Sequence, residues 1–220
     1  GMGKTSFALN LYEDFISNSC PSIYFSAEMS REEIIKKITN LLISKNTEHI
    51  TDNNGVLKLT EEDWVKIKVS LEKMKNNLCF VDKPSLSLME IKKYINERNF
   101  QGRLLAKKEG KENIHENDLK IIFIDYLQIL NDSSTNPLKS TKDKISNITA
   151  TLKGLALELN VAIVLLSQLN REMTKEKDKR PSMDQLKDSG SIEQDADKVY
   201  LLHREEYYQT KDASIPPEVK

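Results

Sequence analysis

The sequence of 220 residues contains only two cysteines, Cys20 and Cys79. Neither belongs to a CxxC or Cys/His pattern, so a disulfide framework and a zinc site are both poor explanations, and we expect a reducing compartment. Cys79 lies in the apolar segment LCFVD, which predicts a small buried side chain. The chain also lacks the roughly 18 to 20 consecutive apolar residues that a membrane helix needs. Its first residues do not show the pattern of a secretory signal peptide.

The chain has little net charge as well, −1 at pH 7, and therefore no overall basic signature of nucleic-acid binding. This balance does not exclude DNA, because a few basic loops can contact a strand while the total charge stays near zero. The 38% hydrophobic and 30% charged residues fit a globular chain rather than a disordered one. The length fits one domain, or one domain and a small appendage, and we expect a single domain over residues 1–220.

The most informative segment is the first one, GMGKTSFALN, in which a Gly-Lys-Thr sequence leads directly into a helical pattern. It matches the second half of the phosphate loop G-x-x-x-x-G-K-[ST], whose lysine reaches the β- and γ-phosphates and whose hydroxyl binds Mg²⁺. The helix start itself favours an anion through its N–H groups and dipole. The predicted nucleotide-binding residues are Gly1, Met2, Gly3, Lys4, Thr5 and Ser6. The first half of the loop would precede residue 1, so we expect a fragment of a larger protein.

Helical and strand patterns alternate along the chain. Helices are predicted over 4–18 and 141–159, and further helices begin at Ser30, Thr60 and Ser87, each with an acidic residue three positions later as in a capping box. Short apolar strands are predicted over 22–26, 78–82, 120–125, 161–167 and 198–203. The alternation predicts an α/β fold with a largely parallel sheet flanked by helices. Ligands of such sheets bind beyond the carboxyl ends of the strands.

Two regions of the pattern need separate predictions. The helix that begins at Thr60 should turn Trp64, Ile67, Leu71 and Met74 inward. Residues 99–118 are charged, mixed in sign and without a period, so we predict an exposed insertion or long loop there.

Three polar residues lie at the end of a predicted strand or shortly after one. Asp125 ends an apolar strand and, together with Lys4 and Thr5, is best explained as the Walker B aspartate, which would hold Mg²⁺ with Thr5. Glu28 follows the first strand and is equally well explained as the base that activates water or as a favourable charge at a helix start. Gln168 follows the fourth strand; the residues alone favour a solvated loop glutamine over a γ-phosphate contact.

Basic residues cluster in two later segments. Residues 171–180 contain five basic and three acidic side chains, and Lys187 lies beside Ser189 and Gly190. A flexible Gly/Ser loop with lysine can bind a nucleic-acid backbone. Composition alone does not favour this interpretation over a solvated loop.

Taken together, the motifs resemble those of the bacterial replicative DNA helicase of the DnaB type, in its C-terminal RecA-like motor domain. The matching segments are GMGKTSFALN, YFSAEMS, IIFIDYLQIL, VLLSQLNREM and KRPSMDQLKDSGSIEQDADKVYLLHREEYY. The resemblance implies a RecA-like P-loop NTPase core that is truncated at both ends. It also implies the catalytic residues Lys4, Glu28 and Gln168 and a DNA-contacting loop at Lys187, Asp188, Ser189 and Gly190, with lysine where the family usually has arginine.

The resemblance further implies a function and partners. The expected activity is ATP hydrolysis with Mg²⁺ at the interfaces of a hexamer of identical subunits, driving translocation on single-stranded DNA and duplex unwinding. Primase and a helicase loader are expected partners, and no membrane is. We expect a cytoplasmic location at the nucleoid, with an organelle as the alternative. Without the family's later K-x-R-x-G segment, the fragment alone should hydrolyse ATP weakly. The rival hypotheses are a recombinase-like or KaiC-like ATPase and a catalytically idle scaffold.

Overall fold

The computed structural model of the chain describes residues 2–43, 59–74, 79–130, 140–169, 180–186 and 189–205. Its helices are α1 Lys4–Ser17, α2 Arg31–Ile43, α3 Glu61–Met74, α4 Leu88–Lys108, α5 Thr141–Leu159 and α6 Ser189–Asp195. Its strands are β1 Ser22–Ser26, β2 Phe80–Asp82, β3 Ile121–Asp125 and β4 Ala162–Leu165. Short 3-10 turns occur at Leu127–Ile129 and Met183–Gln185. None of the helices in these ranges is long and apolar enough to cross a bilayer.

The four strands form one sheet in the order β2-β1-β3-β4, and every pair is parallel. The predicted α/β fold with a parallel sheet is therefore confirmed. The two central strands, β1 and β3, run in register from Ser22 opposite Ile121 to Ser26 opposite Asp125. Consequently their carboxyl ends lie side by side.

Side chains of the central strands alternate between two cores, as the two-residue period of a strand requires. Ile23 and Phe25 belong to one core, which they share with residues of α4 and α5. Tyr24 and Phe123 belong to the other, which contains residues of α1 and α2. Both faces of the sheet are thus covered, which explains why β3 is apolar along most of its length.

Two helix boundaries agree with the predictions. The Ser87 hydroxyl accepts from the Glu90 N–H and the Glu90 carboxylate accepts from the Ser87 N–H, which makes the predicted capping box at the start of α4. Further along the chain, α5 stops at Asn160, which adopts the left-handed conformation with φ 52°. Asparagine tolerates this conformation better than most residues.

The predicted loop over residues 99–118 is wrong for its first half, because α4 continues to Lys108. The inward residues of this half are Asn99, Gly102 and Ala106, and the first two are not apolar enough to give a helical hydrophobic period. Gly102 lies directly against residue 117, since a Cβ at position 102 would be 2.7 Å from the Asn117 carbonyl oxygen. Close packing against the following turn, rather than apolar periodicity, therefore accounts for this part of the helix.

Two further predictions are corrected. On α3, Ile67 is buried but Trp64 is 57% and Leu71 44% exposed, so the predicted inner face is wrong for those two side chains; that of Met74 lies outside the described residues. The predicted last strand over 198–203 is wrong, because these residues form no strand. A strand needs a neighbour for its backbone hydrogen bonds, and within the described ranges β4 pairs with β3 alone.

Candidate nucleotide-binding site

The site begins at the N-terminus of α1. Gly3 caps this helix with φ 84°, a left-handed conformation that glycine adopts without strain. The Gly3 carbonyl accepts the first helical hydrogen bond from the Phe7 N–H at 2.9 Å. The described first turn of α1 carries no acidic side chain that would repel an anion. The N–H groups of this turn, which have no acceptor within the helix, are therefore suited to bind one. Of the other predicted phosphate-loop residues, Met2, Lys4 and Thr5 are half-buried and Ser6 is exposed, whereas Gly1 lies outside the described residues.

The first turn of α1 is joined to the end of β3 by one hydrogen bond. The Thr5 hydroxyl donates to Asp125 Oδ2 at 2.7 Å, across 120 positions of sequence. Asp125 is 3% exposed and is the last residue of β3. The structure thus brings together the hydroxyl and the carboxylate that the sequence predicts as Mg²⁺ ligands.

Lys4 lies in the electrostatic field of two carboxylates. Burial lowers the pKa of its ammonium, while the negative charges of Asp125 and Glu28 act in the opposite direction and favour the charged form. Glu28 is exposed and follows the end of β1 by two residues. The Ala27 N–H donates to the Asp125 carbonyl at 3.0 Å, so the backbone next to Glu28 is hydrogen-bonded to the backbone of Asp125.

Gln168 lies three residues beyond the end of β4 and is exposed. The extended pairing between β3 and β4 continues beyond the strands, since the Leu166 N–H donates to the Ile124 carbonyl at 3.0 Å and the Leu127 N–H to the Leu166 carbonyl at 2.8 Å. The segment that carries Gln168 is thereby held next to the segment that follows Asp125.

Gln128 strengthens this connection and was missed by the sequence reasoning. Its Nε2 donates to the Ser167 hydroxyl at 2.9 Å and to the Gln168 carbonyl at 3.4 Å, and its Oε1 accepts from the Gln168 N–H at 3.2 Å. One amide side chain therefore bonds the backbone of Gln168 through both its donor and its acceptor. Its position three residues after Asp125 is visible in the sequence, but its partner on another strand is not.

Tyr24 is a second residue that the sequence reasoning missed. Its hydroxyl donates to Asp125 Oδ2 at 2.9 Å from within the core. Position 24 has the pattern of an ordinary aromatic strand residue, so no signal in the sequence separates it from Phe25 beside it.

The predicted DNA-contacting residues are only partly described. Lys187 and Asp188 lie outside the described residues, as do 171–179. Ser189 and Gly190 begin α6 rather than lying in a flexible loop, which corrects that part of the prediction. No group of three or more His, Cys, Asp or Glu side chains that could hold a metal ion occurs in the described ranges.

A parallel α/β sheet with a Gly-Lys-Thr helix start hydrogen-bonded to a strand-end aspartate defines a P-loop nucleotide-binding domain. The family model described as "DnaB-like helicase C terminal domain" matches residues 1–219. The chain therefore belongs to the DnaB-like helicase C-terminal domain family.

Individual relatives agree with this family. The chain is 34% identical over 209 residues to the replicative DNA helicase DnaC of Bacillus subtilis and 36% identical over 211 residues to the replicative DNA helicase DnaB of Haemophilus influenzae. Each match covers 94% of this chain but only 42% and 41% of those relatives, so the chain spans about two fifths of their length.

Solved structures give the same result. The fold is similar to a DnaB-like replicative helicase that was studied with primase, at a TM-score of 0.74 and 31% identity over 97% of this chain and 48% of that one. It matches a second solved structure, described as an ATPase domain, equally well, at a TM-score of 0.74 and 31% identity over 97% of this chain and 70% of that chain. The predicted resemblance is thus confirmed.

Proposed function

We propose that this domain is the ATP-hydrolysing motor of a replicative DNA helicase, which couples ATP hydrolysis to movement along single-stranded DNA and to unwinding of the duplex. The observation that carries the proposal is the 2.7 Å hydrogen bond between Thr5 Oγ1 and Asp125 Oδ2. It joins the phosphate loop to the strand-end carboxylate, and it does so in a member of a helicase family.

In this proposal, the phosphates of ATP bind to the N–H groups of the first turn of α1 and to the ammonium group of Lys4. The hydroxyl of Thr5 and the carboxylate of Asp125 hold Mg²⁺, which prefers such oxygen ligands. When bound, Mg²⁺ neutralises negative charge on the β- and γ-phosphates. The two proposed Mg²⁺ ligands belong to different elements, α1 and β3. The packing of α1 on the sheet determines how these elements lie relative to each other.

Glu28 and Gln168 take the remaining proposed roles in hydrolysis. The exposed carboxylate of Glu28 accepts a proton from the attacking water. The charge of Glu28 acts on the Lys4 ammonium, which supports a place for Glu28 beside the phosphates. The exposed amide of Gln168 contacts the γ-phosphate. Gln128 then transmits any displacement of the Gln168 backbone to the turn that follows Asp125, because it bonds that backbone twice.

The remaining parts of the proposal concern assembly and partners. Residues 187–190 contact the backbone of single-stranded DNA. Identical subunits form a hexamer with ATP at their interfaces, and the whole protein works with primase and a helicase loader at the nucleoid in the cytoplasm. The fold is similar to that of a DnaB-like replicative helicase studied with primase, which supports primase as a partner.

The proposal is tested by measuring ATP hydrolysis by the purified full-length protein that contains this domain, with and without single-stranded DNA, beside a Lys4→Ala control. We expect DNA to stimulate hydrolysis in the unmodified protein and hydrolysis by the control to be about 10³-fold slower. A forked duplex then tests unwinding. Nucleotide binding without DNA-dependent turnover would contradict the motor and favour a scaffold or signalling ATPase.

A further inference from the structure

Tyr24 lies at the point where the core meets the candidate site. It is fully buried on β1, and its ring is stacked on Phe123 of β3 with centroids 5.8 Å apart. In the sheet register Tyr24 is opposite Phe123, and Asp125 is two residues further along the same strand. Residues two apart on a strand share a face. The Tyr24 hydroxyl therefore reaches the Asp125 carboxylate from the core side of the sheet, at 2.9 Å.

A second buried tyrosine in the same cluster provides a direct comparison. Tyr12 is also fully buried, and its ring lies 5.5 Å from that of Tyr24. Its hydroxyl donates to the Cys79 carbonyl at 2.9 Å and accepts from the Cys79 N–H at 2.8 Å. Tyr12 thus satisfies its hydroxyl with backbone, as a core tyrosine normally does, whereas Tyr24 directs its hydroxyl at a carboxylate of the site.

The two donors to Asp125 converge on one atom. Thr5 Oγ1 at 2.7 Å and Tyr24 OH at 2.9 Å both donate to Oδ2. The carboxylate group is consequently held in one orientation, with Oδ2 occupied by protein donors. A cation that takes the Thr5 hydroxyl as a ligand would bind a lone pair of its oxygen, so both hydroxyl groups could continue to donate to Oδ2.

We propose that Tyr24 is a positioning residue for the Walker B carboxylate: its buried hydroxyl orients Asp125 so that the domain binds Mg²⁺ together with nucleotide. The inference rests on the proposed function, because it gives Asp125 the role of a Mg²⁺ ligand. Hydrogen-bond partners of a metal ligand orient that ligand, and their loss typically weakens metal binding. A tyrosine hydroxyl carries its proton at neutral pH and can therefore donate to the carboxylate.

The test compares Tyr24→Phe with Tyr12→Phe. Each substitution removes one buried hydroxyl from the same aromatic cluster, but only the first removes a donor to Asp125. The protein is titrated with Mg²⁺ at constant ADP, and the ADP-dependent rise in melting temperature is recorded. For Tyr24→Phe, we expect the half-saturating Mg²⁺ concentration to rise about tenfold. It should be unchanged for Tyr12→Phe, and ADP binding without Mg²⁺ should be the same in all three proteins.

The possible outcomes separate this inference from the proposed function. Equal Mg²⁺ requirements in the two variants would overturn the role of Tyr24 and leave the proposed function intact. If the unmodified protein shows no Mg²⁺-dependent stabilisation by ADP, the proposed function fails and the inference fails with it. A rise confined to Tyr24→Phe supports the inference.

A second measurement does not depend on the stability of the variant. Fluorotyrosine is incorporated into the otherwise unmodified protein, and its fluorine NMR spectrum is recorded with ADP before and after Mg²⁺ is added. We expect the signal of Tyr24 to shift and that of Tyr12, which bonds the backbone of Cys79, to stay in place. A Tyr24 signal that does not respond to Mg²⁺ would overturn the inference.

Discussion

Asp125 and Gln168 lie at the carboxyl ends of adjacent parallel strands, but their surroundings differ. Asp125 is 3% exposed, and its carboxylate accepts from two hydroxyl groups that belong to α1 and β1. Gln168 is exposed, and it is the backbone of this residue that Gln128 bonds. On the Mg²⁺ side of the proposed site the side chains therefore bond one another, whereas on the side that would sense the γ-phosphate the Gln168 side chain is accessible. The proposed motor needs both properties. The groups that bind Mg²⁺ must be held precisely, and the residue that senses the γ-phosphate must be able to move when ATP is hydrolysed.

Lys4→Ala should have the largest effect, because it removes the cation that is proposed to bind the β- and γ-phosphates. We expect ATP hydrolysis to fall by about 10³-fold, since a fixed positive charge stabilises the charge that develops on the transferred phosphoryl group. Hydrolysis is measured by phosphate release at saturating DNA. Lys92→Ala, on a lysine that pairs with Glu158 at the surface, is the matched control and should keep its activity. Comparable losses in both variants would contradict the assignment of Lys4.

Glu28→Gln tests whether the exposed carboxylate acts in chemistry rather than in binding. We expect hydrolysis to fall by about 10²-fold, because an amide cannot accept the proton of the attacking water. The affinity for ATP with Mg²⁺, followed by a fluorescent nucleotide analogue, should change little. An equal loss of affinity and of hydrolysis would instead support a role at the start of the following helix.

Gln128→Leu tests the connection between the two strand ends. Loss of the two bonds to the Gln168 backbone should lower DNA-stimulated hydrolysis about fivefold, which corresponds to about 1 kcal/mol of hydrogen bonding. Gln128→Glu keeps an acceptor for the Gln168 N–H, so its rate of DNA-stimulated hydrolysis should lie between those of Gln128→Leu and the unmodified protein. If Gln128→Leu is fully active, Gln128 only fills a surface position.

Asp118→Asn should have the smallest effect and shows what a contact far from the site contributes. Arg103 donates to Asp118 through two nitrogens, and His115 Nδ1 lies 2.8 Å from Oδ2. Burial alone raises the pKa of Asp118, but the hydrogen bonds from Arg103 and His115 outweigh it and hold the pKa below its usual value. Because Arg103 is 41% exposed, we expect a loss of only about 0.5 to 1 kcal/mol in the free energy of unfolding at pH 7.

The pH dependence of this contribution has a definite sign. A carboxylate whose pKa is lower in the folded state stabilises the protein above its unfolded pKa of about 4, and that contribution is lost as the pH falls through the folded value. Urea unfolding of the two proteins should therefore differ at pH 7 and converge in acid. A difference that persists in acid would contradict the ionic origin. Hydrolysis per folded molecule should be the same in both.

Much of the fold could be predicted from the sequence, because its signals are local. Alternating apolar strands and capped helices indicated the α/β class, and the capping box at Ser87 placed the start of α4. The same reasoning failed where packing replaces periodicity, as at Gly102, which approaches the turn at residue 117. It also failed for 198–203, since an apolar run becomes a strand only when a neighbour supplies hydrogen bonds.

For the candidate site, the sequence by itself determined which chemical groups are present: the lysine and hydroxyl of a phosphate loop and acidic or amide residues after the strands. Their order along the chain sufficed, because parallel strands end at the same edge of a sheet. Tertiary structure alone decided which groups meet. Tyr24 bonds Asp125 and Gln128 bonds Gln168 across 101 and 40 positions, and such contacts depend on sheet register and side-chain direction. Neither sheet register nor side-chain direction can be deduced from the identity of a single residue.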